Sequence, residues 1–196
     1  MFARRRSLTL LCSLLFTSGC ATLQQLRALD RVDFSIGGVS DVRLAGIELS
    51  RLGTFSDLSL LDAARLASAV QSRDLPLGLE IQLIGENPAD NVADARLTRM
   101  DWTLLLQNRE TLSGTVAGET LLRRGQPTTI PIVVQLNLIE FFEGTASDLF
   151  ELALSIAGAG GEPKDVALRA LPVIETAFGP ISYPEPITIV SRQVGR

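Results

Sequence analysis

The sequence predicts a mainly β domain, an antiparallel sandwich or barrel carrying two short helices. Three observations predict it. Apolar and polar residues alternate over residues 77–83, 97–106 and 128–139, the period-two pattern of a half-buried strand. Short turn clusters separate these runs, among them Asn87-Pro88-Ala89-Asp90-Asn91 and Arg123-Arg124-Gly125-Gln126, where Asn and Asp mimic backbone turns and Pro fixes φ. Only Ser56–Gln71 and Ser147–Ala157 show helical spacing within the domain. A chain of 196 residues matches one domain of ~100–200 residues.

The elements follow in order. Val42, Leu44 and Ile47 to Leu52 read as a first strand, with Gly46 a candidate bulge. In the first helix Leu60, Ala63, Leu66, Ala67 and Val70 share a face, and Pro76 stops it. Leu77, Leu79, Ile81 and Leu83 form the core side of the next strand, and Met100, Trp102, Leu104 and Leu106 that of its partner. Gln107-Asn108-Arg109 turns the chain into Thr111–Thr120, a polar strand with the composition of a sheet edge. Thr128–Ile139 follows, facing Ile130, Ile132, Val134, Leu136 and Leu138 inward; Pro131 lacks a donor, which places this strand at an edge or a bulge. The second helix is apolar nearly all round, which suits a cap on one end of the core. Val166–Thr176 and Ile187–Ser191 are the last strands, joined through Gly179-Pro180.

The N-terminus reads as a lipoprotein leader. Arg4, Arg5 and Arg6 precede an uncharged apolar run from Leu8 to Phe16, then Thr17-Ser18-Gly19-Cys20. That run has the length of a signal-peptide core, about 7–15 residues, and is too short to span a bilayer. The expected organisation is a signal peptide over 1–19, a lipidated Cys20 with a tether to residue 38, and the β domain over 39–193. Phe16-Thr17-Ser18-Gly19-Cys20 resembles the bacterial lipobox in its small residues, departing from it at Thr17. The expected location is therefore the bacterial cell envelope, anchored by lipid on Cys20. Ala21 is not the aspartate-type retention signal, which points to the outer membrane, facing the periplasm.

Charge narrows the partners. Removing residues 1–19 takes three arginines and no acid, leaving 15 basic and 22 acidic residues, net −7. A nucleic-acid partner is not expected, because phosphate binding needs clustered Lys and Arg. The same balance opposes adhesion to anionic lipid, so membrane contact falls to the anchor.

An ordered set of features then resembles a known family. A strand ends in Asn87-Pro88, Met100-Asp101-Trp102-Thr103-Leu104 forms a hairpin arm, Gly114 sits in the next strand, and Thr128-Thr129-Ile130-Pro131-Ile132 opens a β run. This order is similar to the late embryogenesis abundant group 2, or WHy (water stress and hypersensitive response), domain across about residues 40–193. Ala89 departs from the family's turn, and the 56–71 helix reads as an insertion. The resemblance implies an immunoglobulin-like or fibronectin-III-like β-sandwich without a catalytic centre, acting in desiccation or other stress tolerance.

Composition agrees with the absence of catalysis. There is no histidine, Cys20 is the sole cysteine of the expected mature chain, and Lys164 is the one lysine. Ser-His-Asp and Cys-His catalysis and ordinary zinc sites lack their residues, and no phosphate-binding loop is present. No cofactor or metal is expected. The acids Glu140, Glu143, Asp148 and Glu151 read as a solvated loop and helix start, and Asp90, Asn91 and Asp94 as turn chemistry. Asn87 and Pro88 are expected to build the turn, Trp102 to fill the core, and Phe141-Phe142 to close one end of the sandwich. The leading function is a non-enzymatic module binding or protecting proteins or membrane under stress; the alternatives are a carrier or assembly accessory for an apolar envelope ligand and, last, a hydrolase with an unusual carboxylate site. The partner beyond the membrane is an envelope protein or apolar ligand of unspecified identity.

Overall fold

The computed structural model describes residues 32–91, 93–160, 165–176 and 179–190. The leader, Cys20, the tether to residue 31, Lys164 and the chain beyond residue 190 lie outside the described residues.

Two antiparallel sheets face each other. The first is built from β1 (Asp33–Leu44), β2 (Ile47–Glu48), β3 (Pro76–Glu86) and β6 (Pro127–Asn137), in the order β2-β1-β3-β6. The second is built from β4 (Ala95–Leu106), β5 (Arg109–Leu122), β7 (Val166–Thr176) and β8 (Gly179–Ser182), in the order β5-β4-β7-β8. β9 (Ile187–Val190) also pairs with β7. Among the described residues strands pair only within their own sheet, so the fold is a sandwich and not a barrel. With the short β1–β2 hairpin counted as one unit, the fourth strand, β5, pairs with the third. In constant-type immunoglobulin domains that strand belongs to the other sheet.

The alternation predicted from sequence sets the core. Leu79↔Val134, Ile81↔Ile132 and Leu83↔Ile130 are register partners on β3 and β6, and all six side chains are buried. Met100, Trp102, Leu104 and Leu106 of β4 and Leu168 and Ala170 of β7 meet them from the second sheet. Each such Leu or Ile contributes about 1.5–3 kcal/mol through burial. Among the described residues β6 pairs only with β3, so the missing Pro131 donor faces a free edge, as expected for a strand proline.

Register fixes the two ends. Asp33 lies opposite Glu86, so the chain enters the sandwich beside Asn87. Leu44 lies opposite Leu77 and Pro76 opposite Asn137. Helices α1 (Leu60–Gln71) and α2 (Ala146–Ile156) lead into β3 and out of β6, so they belong to the far end. α2 closes that end: Leu149, Phe150, Leu152, Ala153, Leu154 and Ile156 are buried, and Phe150 meets Phe55 edge-on at 5.6 Å.

Four expectations change. Gly46 is not a bulge: Ala45 and Gly46 both have positive φ (50° and 79°) and turn β1 into β2, the backbone of a tight hairpin turn. The sandwich begins at Asp33 and not at Val39. Gly37-Gly38 interrupts the β1 register without ending the strand, because the edge can absorb an extra residue. An additional strand, β8, lies between the two final strands. In α1 the packed face is Leu66 with Ala69 and Val70. Leu60 is 90% exposed and Ala67 is also exposed, because the helix starts at Leu60 behind the Ser59 cap and 55–57 form a separate 3-10 turn.

Candidate functional site on the second sheet

Asn87 is 1% exposed and ties two turns together. Its amide nitrogen donates to the Ala93 carbonyl at 3.1 Å and the Leu122 carbonyl at 2.9 Å, and its side-chain oxygen accepts from Asn91 Nδ2 at 2.7 Å. Its backbone carbonyl accepts from Gly125 N–H at 2.7 Å, and the Pro88 carbonyl accepts from Asn91 N–H at 3.1 Å. Asp94 accepts from the Arg124 backbone N–H at 3.0 Å. These bonds bind the β3–β4 turn to the β5–β6 turn, so the side chains of Asn87, Asn91 and Asp94 serve structure. Asn137 performs the matching task at the far end: Leu75 N–H donates to its oxygen at 3.0 Å, and its nitrogen donates to the Arg73 carbonyl at 3.0 Å. Sequence reasoning missed Asn137; a lone Asn ending an apolar strand was its only signal.

Other candidate residues also resolve into structural roles. Phe141 and Phe142 pack against the core. Arg109 donates to the Phe141 carbonyl and lies 5.5 Å over the Phe142 ring, fastening the end beside α2. Asp148 accepts from the Thr145 hydroxyl at 2.7 Å and its backbone N–H at 2.8 Å, a capping box. Those two bonds hold its carboxyl below the usual range. Among the described residues no group of three or more His, Cys, Asp or Glu side chains could hold a metal ion.

The outer face of the second sheet is different. Side chains there project away from the core because successive strand residues alternate faces. Thr103 and Ser113 are register partners, and their hydroxyls share a hydrogen bond at 2.8 Å. Thr115, opposite Asp101, donates to its carboxylate at 2.6 Å. Arg99 grips the same carboxylate through Nε and Nη2, at 2.9–3.2 Å. Those arginine bonds, then Thr115, hold the Asp101 carboxyl below its ordinary value. Asp101 in turn raises Arg99. Arg169 on β7 pairs with Glu110.

This face takes only part of the hydroxyls of the polar strand Thr111–Thr120. Ser113 and Thr115 lie on it, but Thr111 turns back to donate to the Leu104 carbonyl at 3.1 Å. Thr120 pairs with inward-facing Leu97. The register shifts between Leu97 and Arg99 and between Thr103 and Leu105 break the simple alternation. Over Thr103 and Ser113 the face forms an open cleft of about 430 Å³, also lined by Asp101, Thr115, Arg169, Leu171 and Pro186. A second cleft, of about 350 Å³, lies outside the first sheet beside Glu80 and Val133.

No family model matches the chain, and no curated protein matches it. Among solved structures, the chain is similar to the solution structure of a protein named as a candidate late embryogenesis abundant (LEA) protein. That match has 13% identity and a TM-score of 0.37 and covers 95% of this chain and 86% of the other. It is also similar to a crystal structure of a protein from Archaeoglobus fulgidus, at 16% identity and a TM-score of 0.35. This second match covers 58% of this chain and 82% of the other.

Proposed function

We propose that the protein is a non-enzymatic lipoprotein of a bacterial envelope that shields neighbouring proteins or membrane when water is withdrawn. The observation that carries this reading is the Thr103, Ser113, Thr115 and Asp101 face. Its hydroxyls and carboxylate stand on strands, at the surface, in a chain with no histidine and, in its expected mature form, no cysteine but Cys20. Such groups keep hydrogen bonds available to neighbours as water leaves, because each bond to water is replaced by one of similar strength. Net charge of −7 on the expected mature chain keeps copies apart. Lipid on Cys20 would hold the Asn87 end toward the membrane, since the chain enters β1 beside that end. The WHy-type resemblance agrees with a role in water stress.

The test is to dry a labile enzyme with residues 21–196 and, in parallel, with an unrelated acidic protein at equal mass. Higher enzyme recovery with this protein is expected, and replacing Thr103, Ser113 and Thr115 by valine should reduce it. Equal recovery in the two samples would reject specific protection and leave the apolar-carrier reading in its place.

A further inference from the structure

The cleft over Thr103 and Ser113 has a composition that selects a ligand class. Its charged groups are matched locally: Arg99 with Asp101 and Arg169 with Glu110. A cleft with balanced charges has no net field to draw an anion or a cation. Its remaining polar groups are hydroxyls, which donate and accept equally well. Thr115 spends its proton on Asp101, one of Thr103 and Ser113 spends its proton on the other, and the second hydroxyl proton and the remaining oxygen lone pairs are left to a ligand. Beside them, Leu171 and Pro186 supply a carbon-rich wall. The volume, about 430 Å³, falls within the roughly 300–1,000 Å³ of small-molecule sites.

A molecule complementary to this surface is uncharged, carries several hydroxyls around its rim, and presents C–H groups on one face. We propose that the cleft binds a free neutral saccharide of one or two rings. Its hydroxyls would bridge Thr103, Ser113 and the Asp101 carboxylate, and its C–H face would lie on Leu171 and Pro186. The inference shares the hydroxyl face with the proposed protective role and rests on that reading only in treating this face as the working surface. A soluble sugar held there would keep the face hydrogen-bonded as water leaves.

The full chain, purified in detergent and labelled with ¹⁵N, is titrated with maltose and separately with inorganic phosphate. Maltose should give saturable amide shifts confined to residues 101–103, 113–115 and 169–171, and phosphate should not. Thr103→Val with Ser113→Val should weaken maltose binding about tenfold, the loss of two modest hydrogen bonds. Ser113→Ala alone, a milder change, should weaken it in the same direction if the double variant does not fold. Shifts scattered over the surface, stronger shifts with phosphate, or unchanged binding by a folded variant would each overturn the proposal. Because the titration is done in solution and the drying assay without sugar, failure of one is distinguishable from failure of the other.

Discussion

The indole of Trp102 lies across Gly114 on the facing strand, so close that a Cβ added at Gly114 would sit 2.4 Å from its Cζ2. The two are register partners, and Trp102 is 7% exposed. The glycine is therefore required by the tryptophan, since a methyl group there has no room unless the ring moves. Gly114→Ala should destabilise the fold by about 1–3 kcal/mol, the usual cost of overpacking. Trp102→Ala should cost about 3–5 kcal/mol. Urea titration of the two variants checks both, and a cost below about 1 kcal/mol for Trp102→Ala would contradict its buried position.

Asn87→Ala should cost about 2–4 kcal/mol by the same measurement, because it strips partners from two carbonyls and from Asn91 at a buried site. Asn87→Asp removes the two donated bonds while keeping the acceptor, so it should also destabilise. Recovery of full stability in the aspartate variant would show that the donated bonds are unimportant.

Leu60 and Leu66 sit on one helix and should behave oppositely. Leu66 is 0% exposed, and its truncation to alanine should cost about 2–5 kcal/mol. Leu60→Ala should change stability by less than about 0.5 kcal/mol, as surface substitutions do. Comparable losses would place Leu60 back on the packed face.

Acid should weaken the fold through Asp57, Asp101 and Asp148. Backbone N–H groups of Gly53 and Thr54 lower Asp57, Arg99 lowers Asp101 and Thr145 lowers Asp148. A carboxyl held below its unfolded value, about 3.9, stabilises the fold fully above that value. The contribution disappears as pH falls through the lower folded value. Thermal unfolding followed from pH 6 to pH 2.5 should show the melting temperature dropping below about pH 4. Thr145→Val should make that drop shallower by returning Asp148 toward its ordinary value.

Cys20→Ala should move the protein from the membrane fraction to the soluble fraction of its host and block normal processing. Fractionation of cells expressing the two forms reads this directly. Retention in the membrane with normal processing would rule out the lipid anchor.

What the sequence determined by itself was the local pattern. Alternation over β3, β4 and β6 specified which side chains face inward, since a strand's period of two leaves one choice of buried face. The apolar surround of Ser147–Ala157 marked a helix that caps the core, and Pro131 marked an edge or a bulge, of which the structure shows the edge. Tertiary structure decided everything that depends on two distant segments meeting. Bulges in β5 chose Ser113 and Thr115, and not Thr111 and Thr120, for the outer hydroxyl face, because an extra residue in one strand resets which side chains share a side. The packing of α1 chose Leu66 over Leu60, because a helix with apolar residues on two faces does not itself specify which one is covered. Asn137 gained its clamp only when β6 was laid against β3, and Gly114 its necessity only when β4 brought Trp102 over it. Periodicity is written in neighbouring residues; register and coverage come from energies between residues far apart in the chain.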